Sequence, residues 1–241
     1  MRSGAPTTLN SSVDGLIAAG RYREALELPQ RFNVHGLRDT CAEMLVQINL
    51  AEAEYNLGRW DAAWERLRGL DPLAAAFPIA RAGLAQQRSW IAAHTGKPVE
   101  AVHHWRRAEL RDLPSNYHAE HFFTGAAALL GVGQIDAARE CAIAAEGAAV
   151  RPSSKRNSLF IRARVAAAMG ELARAEVLCR TAAQNPYRAA GGEGLLFWGG
   201  ILTRLERFDE ARHAYALAVE RDSESESARI AEDLLLKGSN Q

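Results

Sequence analysis

The sequence predicts an all-α fold, a right-handed α-solenoid of about six antiparallel helical hairpins followed by a C-terminal capping helix. Three observations support this prediction. One short turn motif occurs six times, small residues recur at fixed distances from each turn, and apolar residues between the turns follow helical spacing.

The turn motif is a glycine, a polar residue, an apolar residue and, five positions after the glycine, an alanine. Its copies lie 38, 38, 37, 37 and 36 residues apart and begin at Gly20, Gly58, Gly96, Gly133, Gly170 and Glu206. Glycine predicts a left-handed residue directly after a helix, so only Glu206 departs from the pattern. The apolar residue, for example Tyr22, Trp60 or Phe208, is predicted to plug the start of the second helix.

Small residues are predicted to let the helices of each hairpin approach closely. They lie seven positions before a turn (Ala51, Ser89, Ala126, Ala163, Gly199), five after it (Ala25, Ala63, Ala101, Ala138, Ala175, Ala211) and twelve after it (Ala108, Ala145, Ala182, Ala218).

Helices are predicted on both sides of each turn. The first helices are expected near 9–19, 37–57, 78–95, 117–132, 154–169 and 192–205, and the second helices near 21–31, 60–70, 98–110, 134–149, 171–185 and 208–221. Prolines at 72, 114, 152 and 186 are predicted to end second helices. An amphipathic segment near 224–237 is predicted to cap the apolar end of the stack. We expect 1–241 to form a single domain with residues 1–8 flexible.

The order of small residue, turn glycine, aromatic residue, two alanines and proline resembles the tetratricopeptide repeat (TPR) family over nearly the whole chain. The period of 36 to 38 residues exceeds that family's usual 34, which implies longer loops, as in divergent repeats of some bacterial regulators and scaffold proteins. The tryptophan and tyrosine common in the family's first helices are mostly missing.

The resemblance implies that the first helices line a concave surface that binds a peptide. Counting back from the turns, the inward positions of this candidate groove are Glu52, Tyr55, Asn56, Gln86, Trp90, His94, Glu120, Phe123, Asn157, Phe160, Arg164 and Arg204. Aromatic anchors beside polar groups suit peptide binding. Alternatively, Trp90, Phe123 and Phe160 pack between helices. Arg164 and Arg204 need a partner or ligand, because they are charges on a stripe that faces protein.

Other chemistry finds less support in the sequence. A basic cluster opens the fifth hairpin (Arg151, Lys155, Arg156, Arg162, Arg164) and either binds an anion or balances Glu140 and Glu146. His104 and His121 come close in a hairpin stack, yet zinc spacing is missing, so we expect no metal. No nucleophile elbow, phosphate loop or dinucleotide fingerprint is present, so we expect no cofactor and no catalysis.

The whole-chain composition limits the partners. Twenty-nine basic and 29 acidic residues cancel, and no apolar run has the length of a membrane span, so we expect neither nucleic acid nor a membrane as partner. Three separated cysteines are expected to be reduced thiols. We expect a cytoplasmic, non-enzymatic interaction scaffold that binds a protein or peptide. The alternatives are a sensor domain for a small ligand that signals to a separate effector, and self-association through the terminal hairpins.

Overall fold

The computed structural model describes residues 5–31, 41–74, 76–185 and 191–238. Within these ranges the chain contains helices and no strand, which confirms the predicted all-α class. In chain order they are α1 (Ala5–Ala18), α2 (Tyr22–Arg31), α3 (Cys41–Asn56), α4 (Trp60–Arg68), α5 (Asp71–Ala74), α6 (Pro78–His94), α7 (Pro98–Arg107), α8 (His118–Gly131), α9 (Ile135–Ala148), α10 (Pro152–Ala168), α11 (Leu172–Ala183), α12 (Gly192–Arg204), α13 (Phe208–Arg221) and α14 (Glu226–Gly238). None of these helices has the length and hydrophobicity needed to cross a bilayer.

Each predicted turn joins two helices through three residues. The third helical pair, for example, is linked by residues 95–97 between His94 and Pro98. All five turn glycines have φ between +73° and +82°, and Glu206 adopts the same left-handed conformation at +59°. The turn geometry is therefore kept in all six copies, including the one without glycine.

The small-residue stripes are buried as predicted. The alanine five positions after each turn is no more than 2% exposed at any of its six occurrences. Gly199 shows why size matters, because a Cβ added there would lie 2.2 Å from the Tyr215 ring.

The predicted apolar plug is correct for Tyr22, which is buried, but wrong for Trp60 and Phe208, which are 41% and 60% exposed. Tyr22 differs because the chain around Asp222 covers it.

Several boundaries differ from the prediction. Helix α1 begins at Ala5, four residues earlier than expected, and the short α5 was not predicted. Two single-turn 3-10 segments, Leu110–Asp112 and Ser115–Tyr117, lie between α7 and α8. Pro152 was predicted to follow the end of a second helix, and in the structure it is also the first residue of the next first helix, α10. Pro186 and residues 32–40 lie outside the described ranges.

The two ends of the described chain meet. The Tyr22 hydroxyl donates a hydrogen bond of 2.8 Å to Asp222 Oδ1, and the Arg23 backbone N–H donates one of 2.9 Å to Glu224 Oε2. Gly58, in the second turn, lies against Glu226, whose Oε2 is 3.0 Å from the position of an added Cβ. The stack of helices therefore curves until its C-terminal part contacts its first two turns. We refer to this contact as the closure.

Helix α14 packs against α13 and α12. Its small residues Ala228 and Ala231 are buried, whereas Ile230 and Leu234 are 37% and 38% exposed. Part of the apolar side predicted for this helix therefore faces outward, and its capping role stays a prediction.

Candidate functional site

A cavity of about 320 Å³ lies on the inner side of the curve, between the first helices of the pairs. Nine of the twelve predicted groove residues line it: Glu52, Asn56, Gln86, Trp90, Glu120, Phe123, Asn157, Phe160 and Arg164. They come from α3, α6, α8 and α10, so the inward positions counted from the turns converge in space.

The other three predicted residues do not line the cavity. The buried Tyr55 ring lies behind its wall, with its centroid 6.3 Å from Trp90 and 5.9 Å from His94. His94 lies beside Arg164 and Glu193, as described below. Arg204 is exposed and is not among the lining residues.

Aromatic rings form one wall. Trp90 and Phe123 are half-buried and stack with their centroids 4.9 Å apart. Phe160 is 5% exposed and packs so closely on Gly194 that an added Cβ would lie 2.4 Å from its ring. Phe160 therefore packs in the core between helices, whereas Trp90 and Phe123 also present surface to the cavity.

Arg164, His94 and Glu193 form a polar group from three different helical pairs. Arg164 forms an ion pair with Glu193, and its guanidinium lies over the Phe197 ring at 5.5 Å. His94 Nδ1 lies 2.9 Å from the Trp90 carbonyl, which only accepts, so Nδ1 carries a proton. In the neutral ring Nε2 then accepts from Arg164 at 3.2 Å, and in the charged ring it donates to Glu193 at 2.9 Å. Burial alone would raise the pKa of Glu193, but His94 and Arg164 lower it well below its ordinary value.

Three neighbouring acids, Asp14, Glu52 and Glu120, also line the cavity; we refer to this part as the acidic end. Burial, followed by the charges of Asp14 and Glu120, raises the pKa of Glu52 to about 7. The Glu52 carboxyl has no hydrogen bond or ion pair with any residue that the structure describes. It is therefore an acid without a counter-charge, next to two other acids.

Several polar atoms at the cavity lack a partner. Glu120 Oε1 accepts hydrogen bonds from Arg151 at 2.6 Å and Ser154 at 2.7 Å. Glu120 Oε2, Gln86 Oε1, Gln87 Nε2 and Arg151 Nε are shielded from solvent and have no hydrogen-bond partner within the described part of the chain. Buried polar atoms are normally paired, so these atoms indicate that the cavity holds a ligand or ordered water.

The basic cluster is mostly neutralised. Arg151 pairs with Glu120 and lies over the Tyr117 ring at 5.0 Å, and Arg162 pairs with Glu146 at 2.6 Å. The buried Arg156 donates to Asn157 Oδ1 at 3.0 Å. These contacts favour the interpretation that the cluster balances nearby acids over the interpretation that it binds an anion. Glu146 is one of the two acids predicted for that balance.

The two histidines considered as metal ligands, His104 and His121, pack beside aromatic rings. Burial lowers the pKa of His104 and of His121 to about 4, and their rings lie 5.7 Å from Trp64 and Trp105, respectively. The described residues include no group of three potential His, Cys, Asp or Glu metal ligands. All three cysteines are free thiols, and burial raises the pKa of Cys179 to about 12.

Residues that the repeat register did not predict also line the cavity: Asp14, Tyr22, Gln87, Tyr117, Glu193 and Asp222 are among them. Gln87 neighbours a predicted position, so a wider inward stripe would have included it. Tyr22 and Asp222 join the cavity only because of the closure, which has no local signal in the sequence.

The sequence matches no protein-family model and no curated protein. Among solved structures it is similar to PilW, described as a widely conserved type IV pilus biogenesis factor, with a TM-score of 0.58 and 16% identity over 95% of this chain and 98% of that one. A thermophilic TPR protein of Thermus thermophilus matches with a TM-score of 0.42 and 23% identity over 96% of this chain and 98% of that one. The likeness to PilW concerns the fold, and the chain is a TPR-like helical repeat.

Proposed function

We propose that the protein is a non-enzymatic interaction scaffold that holds a segment of a partner protein in the inner cavity. The observation that carries the proposal is the cavity wall itself, where the half-buried Trp90–Phe123 stack lies beside unpaired polar atoms of Gln86, Gln87 and Glu120. Aromatic surface provides contact area that loses water on binding, and unpaired polar atoms fix the position of the bound segment. This combination is found at interface centres.

The cavity volume limits what enters. About 320 Å³ is the lower end of the range for small-molecule sites, and it accommodates a few side chains rather than a folded domain. We therefore expect the partner to insert a short stretch of chain, with further contacts at the rim near Tyr117 and Ser153.

The same volume favours a second candidate function, the sensing of a small ligand. In that case binding would alter the curvature of the helical stack and a separate effector would respond. A metabolite that raises the melting temperature of the wild type, but not of a variant with a filled cavity, would favour this second function.

Partner capture from a lysate of the source organism tests the scaffold. We compare the wild type with Ser153→Trp, which adds bulk at the cavity rim without removing a hydrogen bond, and with Trp90→Ala, which removes the aromatic stack. Both variants are expected to lose the same captured protein, identified by mass spectrometry and confirmed with a synthetic segment of it.

Trp60→Ala is the matched control. Trp60 is 41% exposed and is not among the cavity residues, so this variant is expected to keep the partner. Circular dichroism and melting curves establish that each variant is folded. Identical captured proteins for the wild type, Ser153→Trp and Trp90→Ala would contradict a role of the cavity in partner binding.

A further inference from the structure

We infer that the acidic end of the cavity receives a cationic alkylammonium group, carried either by a lysine side chain of the partner segment or by a small amine. This inference rests on the proposed binding role of the cavity and specifies the chemistry of what it binds. Its basis is the set of unfilled acceptors around Glu52.

The unfilled atoms are mostly hydrogen-bond acceptors. Both carboxylate oxygens of Glu52, the shielded Glu120 Oε2 and the shielded Gln86 Oε1 have no partner among the described residues. An ammonium group has three donors and no acceptor, so it complements such a site, whereas an anion or a carbonyl would add further acceptors. Two shielded donors, Gln87 Nε2 and Arg151 Nε, also lack a partner among the described residues, and they leave room for carbonyl oxygens beside the cation, as a peptide provides.

The charges around Glu52 favour the same ligand. Asp14 from α1 and Glu120 from α8 are its acidic neighbours in the cavity. Arg151 already neutralises part of the acidic end, since it pairs with Glu120 and lies near Asp14, but it forms no pair with Glu52. Arg164 is paired with Glu193. The buried Arg156 donates to Asn157. An ionised carboxylate without a counter-charge is unfavourable where it is partly shielded from solvent, and an entering cation removes this penalty.

The aromatic wall suits the aliphatic part of such a ligand. Long amine side chains place their methylene groups against apolar surface while the charged end reaches a polar environment. Trp90 and Phe123 offer this surface in the same cavity, and a ring face also attracts a cation.

Binding is expected to depend on pH. The Glu52 carboxyl, with a pKa of about 7, is largely protonated at pH 5.5 and largely ionised at pH 8. A cation favours the ionised form, so binding near pH 6.5 is expected to release a proton and to be at least about tenfold tighter at pH 8 than at pH 5.5. Calorimetry in two buffers of different ionisation enthalpy measures the released proton.

Three probes separate the two sources of the ammonium group. They are n-butylammonium, the capped peptide Gly-Gly-Lys-Gly-Gly, and the same peptide with norleucine in place of lysine. NMR titration of the full chain measures each affinity. Tighter binding of the lysine peptide than of butylammonium assigns the site to a partner segment, and the reverse order assigns it to a small amine. The norleucine peptide is expected to bind at least about tenfold more weakly than the lysine peptide.

Glu52→Gln keeps the shape of the side chain and removes its charge. The substitution is expected to abolish both the pH dependence of binding and the proton release. It is also expected to weaken binding of the cationic probes at least about tenfold at pH 8. Glu65→Gln is the matched control, because Glu65 is exposed and pairs with Arg68 away from the cavity.

The inference would be overturned if no cationic probe shifts resonances of cavity residues, or if Glu52→Gln binds them as the wild type does. Its failure is separable from failure of the scaffold proposal. If partner capture depends on the cavity but the cationic probes do not bind, the cation site is rejected and the scaffold proposal stands. If the cationic probes bind but no partner is captured, the scaffold proposal is rejected and the cation site stands.

Discussion

Glu206 is a non-glycine residue at a turn position whose left-handed backbone conformation favours glycine. It is the only non-glycine residue with positive φ among those described, and its side chain is exposed. We expect Glu206→Gly to raise the free energy of unfolding by up to about 1 kcal/mol, because glycine relieves the left-handed strain but loses more entropy on folding.

Gly133→Ala is the reciprocal test in another copy of the turn. An added Cβ there meets no atom within 4 Å, so only the backbone conformation opposes it, and we expect a loss of about 1 kcal/mol. Urea denaturation measures both variants. A destabilised Glu206→Gly would show that the Glu206 side chain itself stabilises the turn.

Glu52 is expected to make stability depend on pH. Its folded pKa, about 7, lies above the ordinary value of 4.5, so the folded state binds the proton more tightly than the unfolded state does. Stability is therefore lost as pH rises from about 4.5 through 7, by at most about 3 kcal/mol. Glu52→Gln lacks this loss, and its gain over the wild type is expected to grow from near zero at pH 4.5 to a maximum at pH 8.

Chemical denaturation of both proteins across this pH range gives the difference. Other titrating groups contribute equally to the two curves and cancel in it. A difference that stays constant with pH would show that the Glu52 carboxyl is not perturbed by its surroundings.

At the scale of the element, close contact of helices depends on the small stripes. Ala175 is fully buried where α10 and α11 meet, so Ala175→Leu is expected to overpack the pair and cost about 1 to 3 kcal/mol. Ala173→Leu, at an exposed position of the same helix, is expected to change stability by less than about 0.5 kcal/mol. Equal melting temperatures for the two variants would mean that the assigned helical register is incorrect.

Helices and turns were predictable because their signals are local. Left-handed turns favour glycine, and close helix pairs favour alanine at one fixed distance, so α8 and α12 begin and end within one residue of the predicted bounds. The short α5 was missed because four residues carry no usable periodicity. Trp60 and Phe208 were misjudged because hydrophobicity at the start of a helix does not say whether another element covers it.

At the scale of the whole molecule, the closure was beyond local prediction. Tyr22 and Asp222 are 200 residues apart, and their meeting depends on small rotations summed over all the helical pairs. The cavity residues on α3, α6, α8 and α10 were therefore predictable from the repeat. The cavity residues Asp14 and Asp222 were not predictable from it.

Tyr22→Phe tests the closure. It removes one hydrogen bond from the buried Asp222 carboxyl, which keeps the Gly192 backbone N–H at 2.9 Å, and we expect a loss of about 2 kcal/mol. Faster hydrogen exchange is expected at the Arg23 amide, which donates across the same contact. Tyr215→Phe is the control, since its hydroxyl lies 3.2 Å from Thr203 within one helical pair. Unchanged exchange at Arg23 in Tyr22→Phe would mean that this hydrogen bond does not hold the ends together.

The closure also bears on how the chain can change in length. An open solenoid gains or loses an internal copy with only nearest-neighbour consequences, and such proteins vary freely in copy number. Here deletion or duplication of one repeat period, for example 96–132 with α7 and α8, would separate Tyr22 from Asp222 and expose both surfaces. The number of copies is thus constrained as in a ring, and natural variants are expected to differ in loop length rather than in the number of pairs.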